Sequence, residues 1–402
     1  MSKKCDVLII GAGVVGLSTG IALLQSRPSL KVLIADKEKE IAMHASGRNS
    51  GVIHAGFYYS PDSLKAKFCR DGNFELRKLA KKYGIPVKNV GKVVVTRNED
   101  EDSRLDTLFE RGIANGVELE IHPEEKLKQF EPLAITHNRF MWSPNTGISD
   151  SISIVKAMRD EFLSLGGEIQ FDSKVNLTES NGEILDASNQ FTFKHVVNAA
   201  GAQADRISRS VGAGTEYAML PFMGVYRATS EKNVPLQRLV YPVPHPINPF
   251  LGVHFTLTID GKVKIGPTAI PIAGREQYSF TEGWSGSDIA QALKGMKSLI
   301  TGDSHDFGAI LKSEWPKLIQ KMLVKESTKL VPTASGVKDW HRKPPGIRAQ
   351  LVHLATGKLE QDFIVTSQNN ATHVLNAVSP GWTSAIPFGS YVTEDFVLPK
   401  LN

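Results

Sequence analysis

Cysteine is nearly missing: the 402-residue chain has two, Cys5 and Cys69. They show no metal-ligand spacing and cannot form a disulfide framework, so the chain reads as a protein of a reducing, cytoplasmic compartment. Dense Lys/Arg blocks are also missing, and a formal net charge of +5 is mild for this length. That gives no case for nucleic-acid binding. It would suit the approach of an anionic substrate, or at most a peripheral contact with an acidic inner-membrane surface. Internal repeats, low-complexity tracts and long linkers are absent. One run, Val7 to Ser26, carries no charge and follows Lys3-Lys4, and its length alone would allow a signal peptide or a membrane span. Glycines at 11, 13, 16 and 20 divide it into a strand-like VLII and a helix-like GLSTGIALL, and no other stretch resembles a span.

What is present is an ordinary globular composition, 41% hydrophobic and 22% charged, in a chain longer than the usual single domain. Val7 to Ile10 is expected as a buried parallel strand, Gly16 to Leu24 as a helix and Val32 to Ala35 as a second strand, a βαβ unit at the N-terminus. Helices are expected over Leu64 to Tyr83, Ser103 to Asn115, Pro123 to Phe130 and Ser151 to Leu165, and a strand over Lys92 to Thr96. Strands follow at Glu168 to Phe171 and Lys194 to Asn198. From about Glu216 alternating segments predict an antiparallel sheet, with Asp260-Gly261 as a hairpin turn. Helices are expected again over Asp288 to Ile300 and Asp306 to Val324. Two strands, QDFIVTS and HVLNAVSPG, precede a last helix over Thr383 to Phe396.

The segment GAGVVG places Gly11, Gly13 and Gly16 in the spacing G-x-G-x-x-G. The first glycine permits a tight turn, the second lets the backbone approach a pyrophosphate, and the third allows helix and strand to pack closely. The helix N-terminus offers free N–H groups to phosphate charge. Asp36 follows Gly16 by twenty residues, at the end of the second strand, where a carboxylate binds a ribose hydroxyl. A strand before, a helix after and an acid at this distance predict a dinucleotide site; the motif alone does not separate NAD from FAD.

The chain resembles the D-amino-acid oxidase-like family of FAD oxidoreductases. The resemblance runs nearly end to end, through DVLIIGAGVVGLSTGIALL, VVNAAGAQAD (Val196 to Asp205), GIRAQ (Gly346 to Gln350) and NAVSPGWTSAIPFG (Asn376 to Gly389). Within the family it is similar to the L-2-hydroxyglutarate dehydrogenase/oxidase group, through NSGVIHAGFYYSPDSLKAKFC and LGVHFTLTIDGKVKIGP. Leu257 stands where members often carry a polar or basic residue, and GPTA replaces GPNA. The resemblance implies an α/β chain, α+β overall: a Rossmann-like FAD-binding domain (1–85, 146–215, 341–402) interleaved with a substrate domain on a mostly antiparallel sheet (86–145, 216–340).

It further implies non-covalent FAD. Gly11, Gly13, Val15, Gly16, Asp36 and Lys37 would hold its nucleotide end. Ser46, Arg48, Asn49 and Ser50 would run along the pyrophosphate and ribityl chain, and Val175 would contact adenine. Ala200 and Gly201 would pass the adenosine end, Gly346 would lie near the cofactor, and Gly381, Trp382, Thr383 and Ser384 would approach the flavin pyrimidine edge. No metal site is expected. The implied reaction is oxidation of L-2-hydroxyglutarate to 2-oxoglutarate, with electrons passed to a quinone, another respiratory carrier or oxygen; the alternative is an amino-acid or amine oxidase on the same fold.

That chemistry needs a carboxylate clamp and a base for the hydroxyl proton. Arg348 is the clamp candidate, since a guanidinium grips a carboxylate with two hydrogen bonds. His254 and His54 compete for the base, because histidine titrates near neutrality. His254 shares a strand face with Thr256, a substrate-contact candidate, while Phe255 points the other way. Tyr58 and Tyr59 are candidates to donate hydroxyls to the substrate. A distal carboxylate could be met by Tyr241, Lys262 or Arg275. His44, His122, His195, His353 and His373 are expected to be structural.

Overall fold

The computed structural model describes residues 2–244, 250–279, 281–302 and 307–401. A six-stranded sheet forms the first layer, in the order Glu168–Gln170, Val32–Ala35, Val7–Ile10, His195–Asn198, Ala371–Val374, Val365–Gln368. All neighbours are parallel except the last pair. The central strands VLII, VLIA and HVVN are buried along their full length, as continuous apolar runs covered on both faces must be. The helix Val14–Ser26 packs on this sheet and against Ala385–Val392. Small residues permit the approach: a side chain at Gly389 would meet Ser18, and one at Gly20 would meet the Phe162 ring.

The segments between these strands build other sheets. One has eight strands, in the order His341–Arg342, Arg227–Ser230, Lys262–Gly266, His254–Leu257, Leu239–Pro242, Lys92–Val95, Arg139–Ser143, Glu120–Pro123. Only Leu239–Pro242 and Lys92–Val95 run parallel. A four-stranded antiparallel sheet, Ile270–Pro271, Tyr217–Gly224, Gly346–His353, Lys358–Leu359, stands beside it. The α/β fold class is as the sequence predicts. The expected hairpin at Asp260-Gly261 joins His254–Leu257 to Lys262–Gly266, with Gly261 at φ +71°.

Four elements, among others, differ from expectation. The run from Glu216 feeds two sheets, since Tyr217–Gly224 pairs with Gly346–His353 and not with its successor. Pro123 ends an edge strand before a short helical turn at Glu124–Lys126, a position a residue without an N–H tolerates. The helix expected over Asp306 to Val324 is three pieces, Phe307–Glu314, Trp315–Leu318 and Gln320–Ser327, because Pro316 cannot continue the α-helical hydrogen bonds; Asp306 lies outside the described residues. The last α-helix is Ala385–Val392, followed by a π-helical turn over Thr393–Val397.

The layers are tied by a buried ion network. Arg275 pairs with Asp205 and, at 3.0 Å, with Asp288, and it donates to the Ala202 carbonyl at 2.6 Å. Arg275 and Asp205 are both almost completely buried. Truncating one partner strands the other's charge in a low-dielectric interior. Arg275→Ala is therefore expected to cost about 3–5 kcal/mol of stability, read as a lowered midpoint in urea unfolding; a loss below about 1 kcal/mol would contradict the network's role.

Candidate active site

The glycine turn opens a cavity of about 580 Å³ between the six-stranded sheet and the four-stranded sheet. Gly11 sits at φ +107°, and a Cβ there would stand 2.6 Å from the Ala199 carbonyl oxygen. A Cβ on Gly16 would overlap the Gly11 carbonyl, so this glycine closes the turn from behind and does not line the cavity. Gly13 is different: its nearest non-adjacent neighbour is the Ser46 hydroxyl, so any side chain would fill the space in front of the helix. The Asp36 carboxylate accepts from the Ala12 N–H at 2.7 Å and the Glu38 N–H at 2.9 Å, holding the turn while lining the cavity.

The loop after the second strand covers one side. Ser46 Oγ accepts from the Val14 N–H at 3.1 Å, and Asn49 Nδ2 donates to the Ser46 carbonyl at 2.8 Å. Arg48 donates to the Met43 carbonyl at 2.7 Å and lies 4.0 Å over the Tyr278 ring. Thr383 Oγ1 donates to the Val52 carbonyl and accepts from the His54 N–H, which joins the loop to the start of the last helix. Val15, Lys37, Ser50, Val175, Ala200, Gly201, Gly346, Gly381 and Trp382 also line the cavity, whereas Ser384 lies outside its wall. His44, expected to be structural, lines it too, bridging Glu38 at 2.9 Å and Tyr278 at 2.7 Å. Lys37 and Gln203 bond Glu276, so the Arg275 to Tyr278 segment straps the cavity at this end.

At the other end His54 and Arg348 face in. Both sit deep in the protein yet keep part of their surface open, as side chains facing an internal cavity do. Arg348 donates to the Thr268 carbonyl at 3.2 Å and lies 5.3 Å from the Phe250 ring centroid. Burial holds its pKa below the usual guanidinium value. His54 has no partner at Nδ1, and burial, then the charges of Lys92 and His254, keep its pKa well below the ordinary histidine value.

Behind them stands a second group, on the eight-stranded sheet. His254 donates through Nδ1 to the Gly252 carbonyl at 2.8 Å and stacks on Tyr241 at 3.8 Å. That bond fixes the tautomer and leaves Nε2 as the acceptor nitrogen. Burial lowers the His254 pKa to about 3; the Gly252 bond opposes this, and Lys92 and Arg348 add to it. Thr256 lies on the same strand face with its hydroxyl against that of Tyr241, and the Tyr58 hydroxyl is unpaired. Burial raises the Tyr58 and Tyr59 pKa values far above the usual phenol range. His254, Thr256, Tyr58 and Tyr59 are not in the cavity wall itself.

Two candidates for a distal carboxylate are occupied elsewhere. Lys262 pairs with Asp260 at the exposed hairpin, and both arms of Arg275 are taken by Asp205, Asp288 and Ala202. One group escaped the sequence reading. Lys92, the first residue of an apolar strand, is fully buried with no partner at Nζ. Burial lowers its pKa to about 7. KVVV signals only a strand; nothing in it says that the lysine points inward.

Comparison with known proteins identifies the family. The FAD dependent oxidoreductase description (DAO) matches residues 6–395. The chain belongs to the FAD-dependent oxidoreductase family. It is 36% identical to L-2-hydroxyglutarate dehydrogenase of Escherichia coli O17:K52:H18, over 97% of this chain and 92% of that one. It is 33% identical to the mitochondrial L-2-hydroxyglutarate dehydrogenase of Homo sapiens, over 98% and 89%. In fold it is similar to the FAD-bound L-alpha-glycerophosphate oxidase of Mycoplasma pneumoniae, with a TM-score of 0.74 and 22% identity, covering 98% and 95%. This FAD-dependent oxidoreductase fits its cofactor: the open space before Gly13 suits a pyrophosphate, and Trp382 Nε1 is buried without a partner in the cavity wall.

Lys92 also yields a prediction about stability. Its folded pKa is depressed, so the unfolded chain binds the extra proton between about pH 7 and the ordinary lysine range. Its destabilising effect is full below about pH 7 and fades as pH rises above it. Lys92→Met is expected to stabilise the protein by roughly 1–4 kcal/mol at pH 6 and by less at pH 9, measured by urea unfolding. A variant less stable at pH 6 than the parent would contradict this.

Proposed function

We propose that this FAD-dependent oxidoreductase oxidises L-2-hydroxyglutarate to 2-oxoglutarate. The observation that carries the reading is the pairing of Arg348, buried beside the cavity without a carboxylate partner among the described residues, with a partnerless histidine, His54. The names of relatives aligned over nearly the whole chain support the substrate. They make the amine or amino-acid oxidase alternative the weaker one.

In this mechanism Arg348 grips the C1 carboxylate in two hydrogen bonds and so fixes the C2–H direction. His54, the histidine with surface on the cavity, accepts the hydroxyl proton. His254 stands behind it, oriented by Gly252 and Tyr241. Burial keeps both histidines neutral in the free enzyme, with Lys92 adding to this at both and Arg348 at His254, so a lone pair is ready at neutral pH. Arrival of substrate carboxylates offsets those positive charges and raises the histidine's basicity as the proton moves. FAD, when bound, supplies the two-electron acceptor for the C2 hydrogen. Aromatic and aliphatic walls exclude water from the reacting carbon. Electrons then leave to a quinone, another respiratory carrier or oxygen.

No helix among the described residues is long and apolar enough to cross a membrane. The proposed peripheral membrane contact is the face of the helices between Gly286 and Ser327. Ile300, Trp315, Ile319 and Met322 are exposed there, with Lys312, Lys321 and Lys325 exposed in the same region. Apolar residues among lysines suit an anionic lipid surface. Flotation with vesicles of anionic phospholipid is expected to carry the protein, and Trp315→Ser with Ile319→Ser to abolish this; flotation unchanged in the double variant would sink the proposal.

The substrate assignment is tested by anaerobic mixing of the yellow enzyme with L-2-hydroxyglutarate, its D enantiomer and a panel of amino acids. Rapid bleaching by the L-hydroxy acid alone is expected; bleaching only by an amine would overturn the reading. In single turnover His54→Ala is expected to slow flavin reduction by about 10²–10⁴, and His254→Ala by much less. The reverse order would make His254 the base. The depressed His54 pKa also predicts no loss in reduction rate divided by Kd as pH falls from 8 to the ordinary histidine pKa, with loss only below it. Half-loss already above about pH 6.5 would contradict a His54 held neutral.

A further inference from the structure

Lys92 is where the site holds more than an oxidation strictly needs. Its Nζ is sealed in a box of rings, 4.1 Å from the Tyr241 centroid, 5.0 Å from Tyr58 and 5.2 Å from Phe57. No carboxylate is among the groups that act on it; the one acidic neighbour is the Cys69 thiol, which burial itself keeps protonated. Its field is felt by His54 and by His254, and His254 also feels Arg348. Lys92 and His254 share the Tyr241 ring, at 4.1 Å and 3.8 Å from its centroid, and neither Lys92 nor Arg348 forms an ion pair with a carboxylate among the described residues. The unpaired polar atoms His54 Nδ1 and Tyr58 OH belong to the same cluster. A group of buried polar atoms left unsatisfied is what a site built for a polar ligand looks like when only the protein is counted.

One cation accounts for one carboxylate. A second, held among three aromatic rings, has no hydrogen-bond partner at Nζ and no role in gripping C1. We propose that Lys92 is the specificity-determining charge for the second carboxylate of a dicarboxylic substrate, Arg348 taking the first. This rests on the hydroxy-diacid reading above and assigns the distal group that reading leaves unmet. Lys92 does not line the cavity, so it acts through its field: the interior's low dielectric lets a charge reach across a ring, and the aromatic faces stabilise the ammonium without neutralising it. A five-carbon diacid is selected over a monoacid of the same length because only the diacid supplies the missing negative charge.

The test compares glutarate with valerate, five-carbon acids without the reactive hydroxyl, as ligands of the FAD-loaded protein. Dissociation constants are read from perturbation of the flavin absorbance. The parent is expected to prefer glutarate by about 30-fold or more, roughly 2 kcal/mol at 1.4 kcal/mol per tenfold. In Lys92→Met the preference is expected to shrink to within about threefold, with Lys92→Gln behaving alike. A variant that keeps the parental preference overturns the proposal. Should neither variant retain FAD, a parent that binds both acids equally overturns it and a parental preference supports it. Parent reduction by L-2-hydroxyglutarate decides the substrate reading separately, so a variant that keeps its preference removes Lys92 and leaves that reading standing.

Discussion

Positive charge buried without a counter-ion is the constraint around which this site is organised. Arg348 and Lys92 both stand inside the protein with no carboxylate in ion-pair contact among the described residues, although Glu314 is near enough to act on Arg348. Burying an unpaired ion is costly, and the surroundings lessen that cost without cancelling the charge. Arg348 has the Thr268 carbonyl and the Phe250 ring; Lys92 has three aromatic faces. Burial already favours the neutral forms of His54 and His254, and the remaining field adds to this, from Lys92 at both and from Arg348 at His254. An anion entering the cavity relieves this strain, so binding and activation of the base are proposed to be one event.

Elsewhere the chain handles buried charge in the opposite way. Arg275 is matched against Asp205 and Asp288, and Glu131, also buried, accepts three backbone N–H bonds, from Leu133, Gln237 and Arg238. Those groups hold segments together and have no capacity left for a ligand. The contrast separates scaffold from site by chemistry alone. It also explains why Arg275, which a sequence reader can reasonably offer as a substrate partner, belongs to the scaffold.

The cofactor end was largely legible in the sequence. A turn, a strand and an acid at fixed spacing dictate a local geometry, and the glycines sit where close approach demands them. Val7–Ile10 and Val32–Ala35 match expectation to the residue because a buried parallel strand is a continuous apolar run. The strand expected over Lys194 to Asn198 starts at His195, and the one expected from His373 lies at Ala371–Val374. The substrate end was legible only through resemblance. His54 and Arg348, nearly three hundred residues apart, line one cavity because of a strand order that no local pattern encodes. Lys92 was missed because a lysine opening an apolar strand ordinarily points to solvent. Only the pairing of Lys92–Val95 with Leu239–Pro242, an isolated parallel contact in that sheet, turns it inward beneath Tyr58 and Tyr241. The break at Pro316 was readable from proline's missing N–H, and the division of the later strands between two sheets was not.

A crystal structure of the FAD-loaded protein with 2-oxoglutarate tests the central claim most directly. The account predicts one carboxylate in the fork of Arg348 and the other directed toward Lys92, with the keto oxygen within hydrogen-bond reach of a histidine Nε2. A ligand with neither carboxylate on Arg348, or with its distal carboxylate turned to solvent away from Lys92, would contradict it.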